Sequence, residues 1–266
     1  EDSSNEFIRK EDMFSQINEL GDDLAQRLSR EGNPPMLIIS HYWDGASVAE
    51  AVRDNLKLSD VPHVWIPHSL GKLKKVNTDP EQWEGLRIDE RIEEEERVLK
   101  HIDTVVHTSR AMEESLRDEY GCEDTLFLPP GVDTERFQPE QVRLDPRGLN
   151  LLCDLTDRGA EDIARAPIIT EISRTARTKR KDVLIRAFAQ VRESFPSALL
   201  AVSIDANQRE LYDELTGLIS ELALHDSVAV LGSVWDQVPS LYGLSAVYCT
   251  PSIMEGFGMS IQEAAA

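Results

Sequence analysis

Pro251-Ser-Ile-Met-Glu255-Gly-Phe-Gly-Met-Ser-Ile-Gln-Glu263-Ala-Ala-Ala266 follows a short apolar run, Ala246 to Cys249, and ends in residues that favour a helix. An apolar run that turns at glycine into a helix reads as a strand-to-helix junction of an α/β sheet. The first backbone N–H groups of that helix, at Gly258, Met259 and Ser260, have no intrahelical acceptor and suit an incoming anion such as a phosphate. Gly256 and Phe257 complete the turn. Glu255 and Glu263 stand eight positions apart around it, and ionised carboxylates accept the hydrogen bonds that sugar hydroxyls donate. For a glutamate pair without further support, plain surface exposure is the commoner explanation.

Working outward, the same alternation recurs along the chain. Short apolar runs at Met36 to Ser40, His63 to Pro67, Thr104 to His107 and Thr125 to Leu128 predict buried strands. Between them lie longer polar stretches with helical spacing, such as Ala46, Val48, Ala49, Ala51 and Val52, or Ile88, Ile92, Leu99 and Ile102. After Pro139 to Asn150, a polar stretch that suggests a linker, the pattern restarts. Ile168 to Ser173, Leu199 to Ile204, Val228 to Leu231 and Ala246 to Cys249 predict four more strands. Strands alternating with helices imply parallel crossovers and an α/β sheet covered on both faces. The expected division is residues 1–138, a linker at 139–150, and residues 151–266. The chain opens without Met and stops in a helical pattern without a C-cap signal, so both ends read as cut and both sheets as incomplete.

Composition narrows the partners. The 266 residues are 41% apolar and 29% charged, and 28 Lys and Arg against 49 Asp and Glu give a net charge of −21. Such a charge repels polyphosphate backbones, so nucleic acid is not an expected partner. Apolar runs fall far short of the roughly 20 residues that cross a bilayer, and no signal segment opens the chain; a cytoplasmic location without a transmembrane segment is expected. Cys122, Cys153 and Cys249 have no metal-like or CxxC spacing and read as free thiols. No Asp-rich metal motif is evident.

Arg174 and Lys179 follow the Ile168 to Ser173 run, where open α/β sheets bind ligands. An Arg fork with a Lys point charge suits a diphosphate. Arg177, Arg180 and Lys181 make this the densest basic segment of an acidic chain, although charge runs are usually solvated surface. His68 stands just beyond the Val64-Trp-Ile66 run, in a place that catalysis and plain structure use alike.

Together these segments resemble retaining glycosyltransferases of family four, which have the GT-B architecture. The resemblance rests on the Glu255 to Glu263 segment, on Ser173-Arg-Thr-Ala-Arg-Thr-Lys179, and on Leu128-Pro-Pro-Gly-Val-Asp133 with Phe137 and Pro139. His41-Tyr-Trp-Asp44, His68-Ser-Leu-Gly71 and Arg87 to Glu95 look most like the sucrose-phosphate synthase branch. The resemblance implies two Rossmann-like domains facing across a cleft, the first for an acceptor and the second for a nucleotide diphosphate sugar, UDP-glucose favoured.

It also implies roles, with no metal and no cofactor, the nucleotide diphosphate sugar being a substrate. His68, Arg174, Lys179 and Glu255 would be catalytic, and Gly256, Phe257, Gly258, Met259, Ser260 and Glu263 would hold the donor. His41, Tyr42, Lys72, Lys74, Arg87, Arg91 and Arg110 would meet a sugar or sugar-phosphate acceptor. Helical spacing equally allows Arg87 and Arg91 to pair with Glu90, Glu94 and Glu95 on one helix. Transferases using GDP-mannose, glycerate or a free sugar, and a fragment that only binds nucleotide, stay open as alternatives.

Overall fold

A computed structural model describes residues 10–139 and 145–266. It contains two compact units, Glu1–Pro130 and Gly131–Ala266.

The first unit holds four parallel strands in the order β1-β2-β3-β4: Ile38–His41, His63–Ile66, Thr104–His107 and Thr125–Phe127. Each lies within a residue or two of its predicted run. The intervening helices are α1 (Ile17–Glu31), which precedes β1, then α2 (Tyr42–Leu56), α3 (Gly71–Val76), α4 (Ile88–Leu99) and α5 (Arg110–Asp118). Trp65, Leu70, Val98, Val105, Met112 and Leu116 form the centre of the unit's core.

The second unit repeats the plan with β5 (Ile168–Glu171), β6 (Leu199–Ser203), β7 (Val228–Leu231) and β8 (Val247–Tyr248), all parallel, in the order β7-β6-β5-β8. Strand β6 shows why its sequence is continuously apolar. Leu199 and Ala201 enter one cluster, Leu200 and Val202 another, and all four are fully buried, as expected for a parallel strand covered on both faces. The helices here are α6 (Arg147–Thr156), α7 (Ala160–Arg165), α8 (Lys181–Ser194), α9 (Arg209–Glu221), α10 (Val238–Leu244) and α11 (Met259–Ala265).

The order contains one reversal. From β5 the chain steps through α8 to β6 on one side, whereas β8 returns to pair with β5 on the other. The carboxyl ends of β5 and β8, adjacent strands whose connections run in opposite directions along the sheet, therefore form a switch point, the place where open α/β sheets bind ligands.

The stretch expected as a linker is different in part. Residues 140–144 lie outside the described residues, but from Arg147 the chain forms α6, whose Leu152 is fully buried in the second unit's core with Leu149 and Leu151 packed beside it. Val132 and Phe137 join the same core, so the division falls after Pro130 rather than at 138. Gly148 explains the punctuation in this helix: a Cβ there would lie 2.6 Å from Ser240 Oγ, so glycine permits the close approach of α6 to α10.

Burial of His63 has a measurable consequence. It is 1% exposed, its Nε2 is 2.7 Å from Ser40 Oγ, and its N–H donates to Asp103 at 2.8 Å. Burial, followed by the Arg53 guanidinium, lowers its pKa from 6.5 to about 4. Unfolded His63 takes up a proton below pH 6.5 and folded His63 only near 4, so its stabilising contribution is complete above about 6.5 and is lost as pH falls toward 4. The expected loss is about 2–3 kcal/mol, measured as the difference in urea stability between pH 7 and pH 4 for wild type and His63→Gln. An equal acid loss in both would contradict it.

Candidate active site

At the switch point, the β5 loop and the β8 loop meet. Lys179 Nζ is 2.5 Å from Glu255 Oε1. Ser252 Oγ and the Ile253 N–H both donate to the Thr178 carbonyl, at 3.3 and 3.0 Å. Lys179 is buried along its stem while Glu255 is exposed, so the pair opens outward. Arg174 is exposed, and no hydrogen bond or ion pair engages its guanidinium among the described residues. Arg177 points elsewhere, to Glu210 and Glu214 of α9.

Gly258 caps α11 with φ +83°, a left-handed conformation that glycine adopts without strain. It is buried, Met259 is exposed, and Gly256, Phe257 and Ser260 are half-buried around it. Glu263 lies one turn into α11, half-buried. Burial raises its pKa, against the opposing charge of Arg136. The second unit thus gathers two cations, two carboxylates and a glycine turn at the carboxyl ends of two strands.

In the first unit, a second group forms at the ends of β1 and β2. His41 Nδ1 and His68 Nε2 are 2.7 Å apart, and Tyr42 lies against the His68 ring with centroids 4.9 Å apart. One imidazole must donate and the other accept, so the two cannot both be protonated in this contact. Burial, then His41, then Lys10 lower the His68 pKa. Tyr42 and His68 both have positive φ, 60° and 55°, a conformation costly for side chains larger than glycine and concentrated at functional sites.

The basic residues expected near an acceptor are mostly engaged within the unit. Lys72 bridges to Glu96 at 2.6 Å and Lys74 lies 3.7 Å from Glu11. Arg87 pairs with Glu90 and donates to the Glu11 carbonyl, and exposed Arg110 pairs with Glu114. Arg91 is buried. Its Nε donates to Glu95 at 2.7 Å, and its Nη2 donates to the Ser69 carbonyl and hydroxyl at 2.6 and 2.9 Å. Glu95, fully buried, also accepts from the Gly71 N–H at 2.8 Å and the Tyr120 hydroxyl at 2.5 Å. The pair thus clamps the loop that carries His68, and helical spacing accounts for Arg87 and Arg91.

Lys10 was not singled out by sequence. Its Nζ sits 3.1 Å from the Tyr42 ring centre, and it lines a small depression with Glu11, Phe14, Trp43, Lys74, Leu86 and Arg91. Nothing but a basic pair, Arg9-Lys10, before Glu11-Asp12 marks it in the sequence. Among the described residues, no three His, Cys, Asp or Glu side chains gather to hold a metal ion, and no helix is long and apolar enough to cross a membrane.

Two parallel sheets, with cationic and carboxylate groups at a switch point, define a class that comparison with known proteins makes specific. Residues 9–136 match the family Glycosyltransferase Family 4 and residues 156–266 match Glycosyl transferases group 1. The first unit is thus similar to the Family 4 glycosyltransferases and the second to the group 1 glycosyltransferases, and the chain has the GT-B fold. It is 27% identical to mannosylfructose-phosphate synthase of Agrobacterium fabrum, over 98% of this chain and 58% of that protein. It is also 27% identical to D-inositol 3-phosphate glycosyltransferase of Corynebacterium jeikeium, over 98% of this chain and 61% of that one. The chain thus spans about three-fifths of the length of these relatives. Among solved structures, Anabaena HepE in complex with UDP and glucose superposes with a TM-score of 0.69 at 19% identity, covering 93% of this chain and 62% of that one. The catalytic domain of Arabidopsis thaliana starch synthase IV, bound to ADP and acarbose, gives 0.69 at 16%, covering 97% and 60%. At these identities the solved structures speak for the fold.

Proposed function

We propose that the chain carries the donor site and part of the acceptor site of a retaining glycosyltransferase, which moves a hexosyl group from a nucleotide diphosphate sugar to a sugar-phosphate acceptor. The observation that carries this reading is the convergence of Lys179, Glu255 and the Gly258 turn at the switch point of the second sheet. In this reading Arg174, Lys179 and the amides of Gly258, Met259 and Ser260 hold the diphosphate. Glu263 accepts from the ribose and Glu255 from the transferred sugar. The bond from the sugar's anomeric carbon to the diphosphate oxygen breaks, and the electron pair leaves with the diphosphate, whose growing charge the two cations stabilise. The acceptor hydroxyl bonds to the anomeric carbon and gives its proton to the departing diphosphate oxygen. His68, whose pKa burial lowers, is the first unit's catalytic group in this reading.

UDP-glucose is the favoured donor, a choice supported by the UDP and glucose in HepE. A phosphate-bearing acceptor is supported by the phosphate in the names of both curated relatives. The internal pairing of Lys72, Arg87 and Arg91 favours a second reading, an acceptor without phosphate such as a free sugar or glycerate. A panel of UDP-, GDP- and ADP-sugars with fructose 6-phosphate, fructose and glycerate, scored by nucleoside diphosphate release, separates them. Release that needs the phosphorylated acceptor supports the first reading, and indifference to that phosphate supports the second. No acceptor-dependent release from any donor would refute transfer by this chain.

A further inference from the structure

The most enclosed charges of the second unit lie beneath Arg174 and Lys179 rather than at them. Lys181 is 2% exposed and Glu171 fully buried, and the two form an ion pair. Lys181 Nζ also donates to the Ser173 carbonyl at 3.2 Å, the Ser173 hydroxyl at 3.0 Å and the Ser203 hydroxyl at 3.3 Å. The Ser173 hydroxyl donates to the second oxygen of Glu171. Ser203 Oγ donates to the Ser173 carbonyl at 2.7 Å and accepts from the Ser173 N–H at 3.0 Å. Two residues on, Thr175 Oγ1 accepts from the Asp205 N–H at 2.8 Å. Both neighbours of Arg174 are thereby tied to the end of β6 or just beyond it, and Arg174 is held outward between them.

Stability alone is a poor account of such a pair. Desolvating two ions costs several kcal/mol each, and an apolar pair of similar volume often serves a core as well or better. What an apolar pair cannot supply is direction. A lysine offers three N–H donors and a carboxylate two acceptor oxygens, and here they fix the carbonyl and hydroxyl of the loop's first residue.

We propose that Glu171 and Lys181 are positioning residues that hold the Ser173–Lys179 loop in the conformation presenting Arg174 and Lys179 to a nucleotide's diphosphate. The proposal rests on the donor-site reading above. The pair touches no substrate and acts through the loop.

The test is calorimetric binding of UDP, GDP and ADP and of the corresponding monophosphates to this chain. Wild type is expected to prefer the best diphosphate over its monophosphate by about tenfold, the increment that charge-assisted phosphate contacts supply. The double variant Glu171→Leu, Lys181→Met leaves no orphaned charge. It is expected to keep monophosphate affinity while its preference falls to about threefold or less. Ser203→Ala leaves the ion pair in place but unties Ser173, and is expected to lose part of the preference; it decides the question should the double variant fail to fold. Wild-type preference retained in a folded variant overturns the positioning role alone. A wild type without any preference overturns the donor-site reading, and the positioning role with it.

Discussion

Arg91→Met is expected to destabilise the chain by about 3–5 kcal/mol, the cost of removing one partner from a buried ion pair. Glu95, with its side chain 0% exposed, would keep only the Tyr120 hydroxyl and the Gly71 N–H. The Ser69 carbonyl and hydroxyl would lose their donor as well. Urea denaturation read by tryptophan fluorescence gives the number, since Trp65 lies fully buried in the same unit. The pairing of Arg87 with Glu90 supplies the contrast. That pair is exposed, and Arg87→Met is expected to cost far less than Arg91→Met, since water screens an exposed ion pair. A midpoint for Arg91→Met as close to wild type as that of Arg87→Met would show that Arg91 is not a clamp and would return it to the acceptor residues.

Lys179→Ala is expected to lower turnover by a factor of about 10²–10³, equivalent to about 2.7–4 kcal/mol of transition-state stabilisation, while changing donor affinity much less. Charge on a departing diphosphate grows as the glycosidic bond breaks, so a fixed cation at the switch point does most there. Lys179 is held by Glu255, and the ammonium is therefore pre-placed rather than recruited from solvent. Steady-state kinetics with the sugar donor checks this. A variant whose Michaelis constant rises while turnover stays put would assign Lys179 to ground-state binding instead.

Much of the fold was legible because buried parallel strands write themselves as apolar runs. Leu199–Ser203 is buried at every position, and no surface strand would carry that sequence. The placement of the two second-unit segments was legible for a related reason: a strand, a glycine turn and a helix start are local, so the positions of the Glu255 to Glu263 segment and the Arg174 to Lys179 loop after strands can be read from a few residues. Helix α6 was hidden because Pro146 and Gly148 punctuate it, and the need for Gly148 arises from Ser240, some ninety residues away. Burial was also illegible. Arg91 and Glu95 show helical spacing, but a spacing cannot tell a solvated pair from one enclosed under the His68 loop. Glu171 and Lys181 are ten apart across a loop, a separation that no periodicity marks.

Tyr42 and His68 hold adjacent left-handed backbones that glycine would occupy without strain. Directed evolution for heat resistance alone is therefore drawn toward these two positions, since a glycine there can relieve a local cost of about 1 kcal/mol or more. Each such gain would delete a ring from the histidine cluster. A selection scheme that scores survival after heating without also scoring sugar transfer would enrich sturdy chains with an emptied first-unit site.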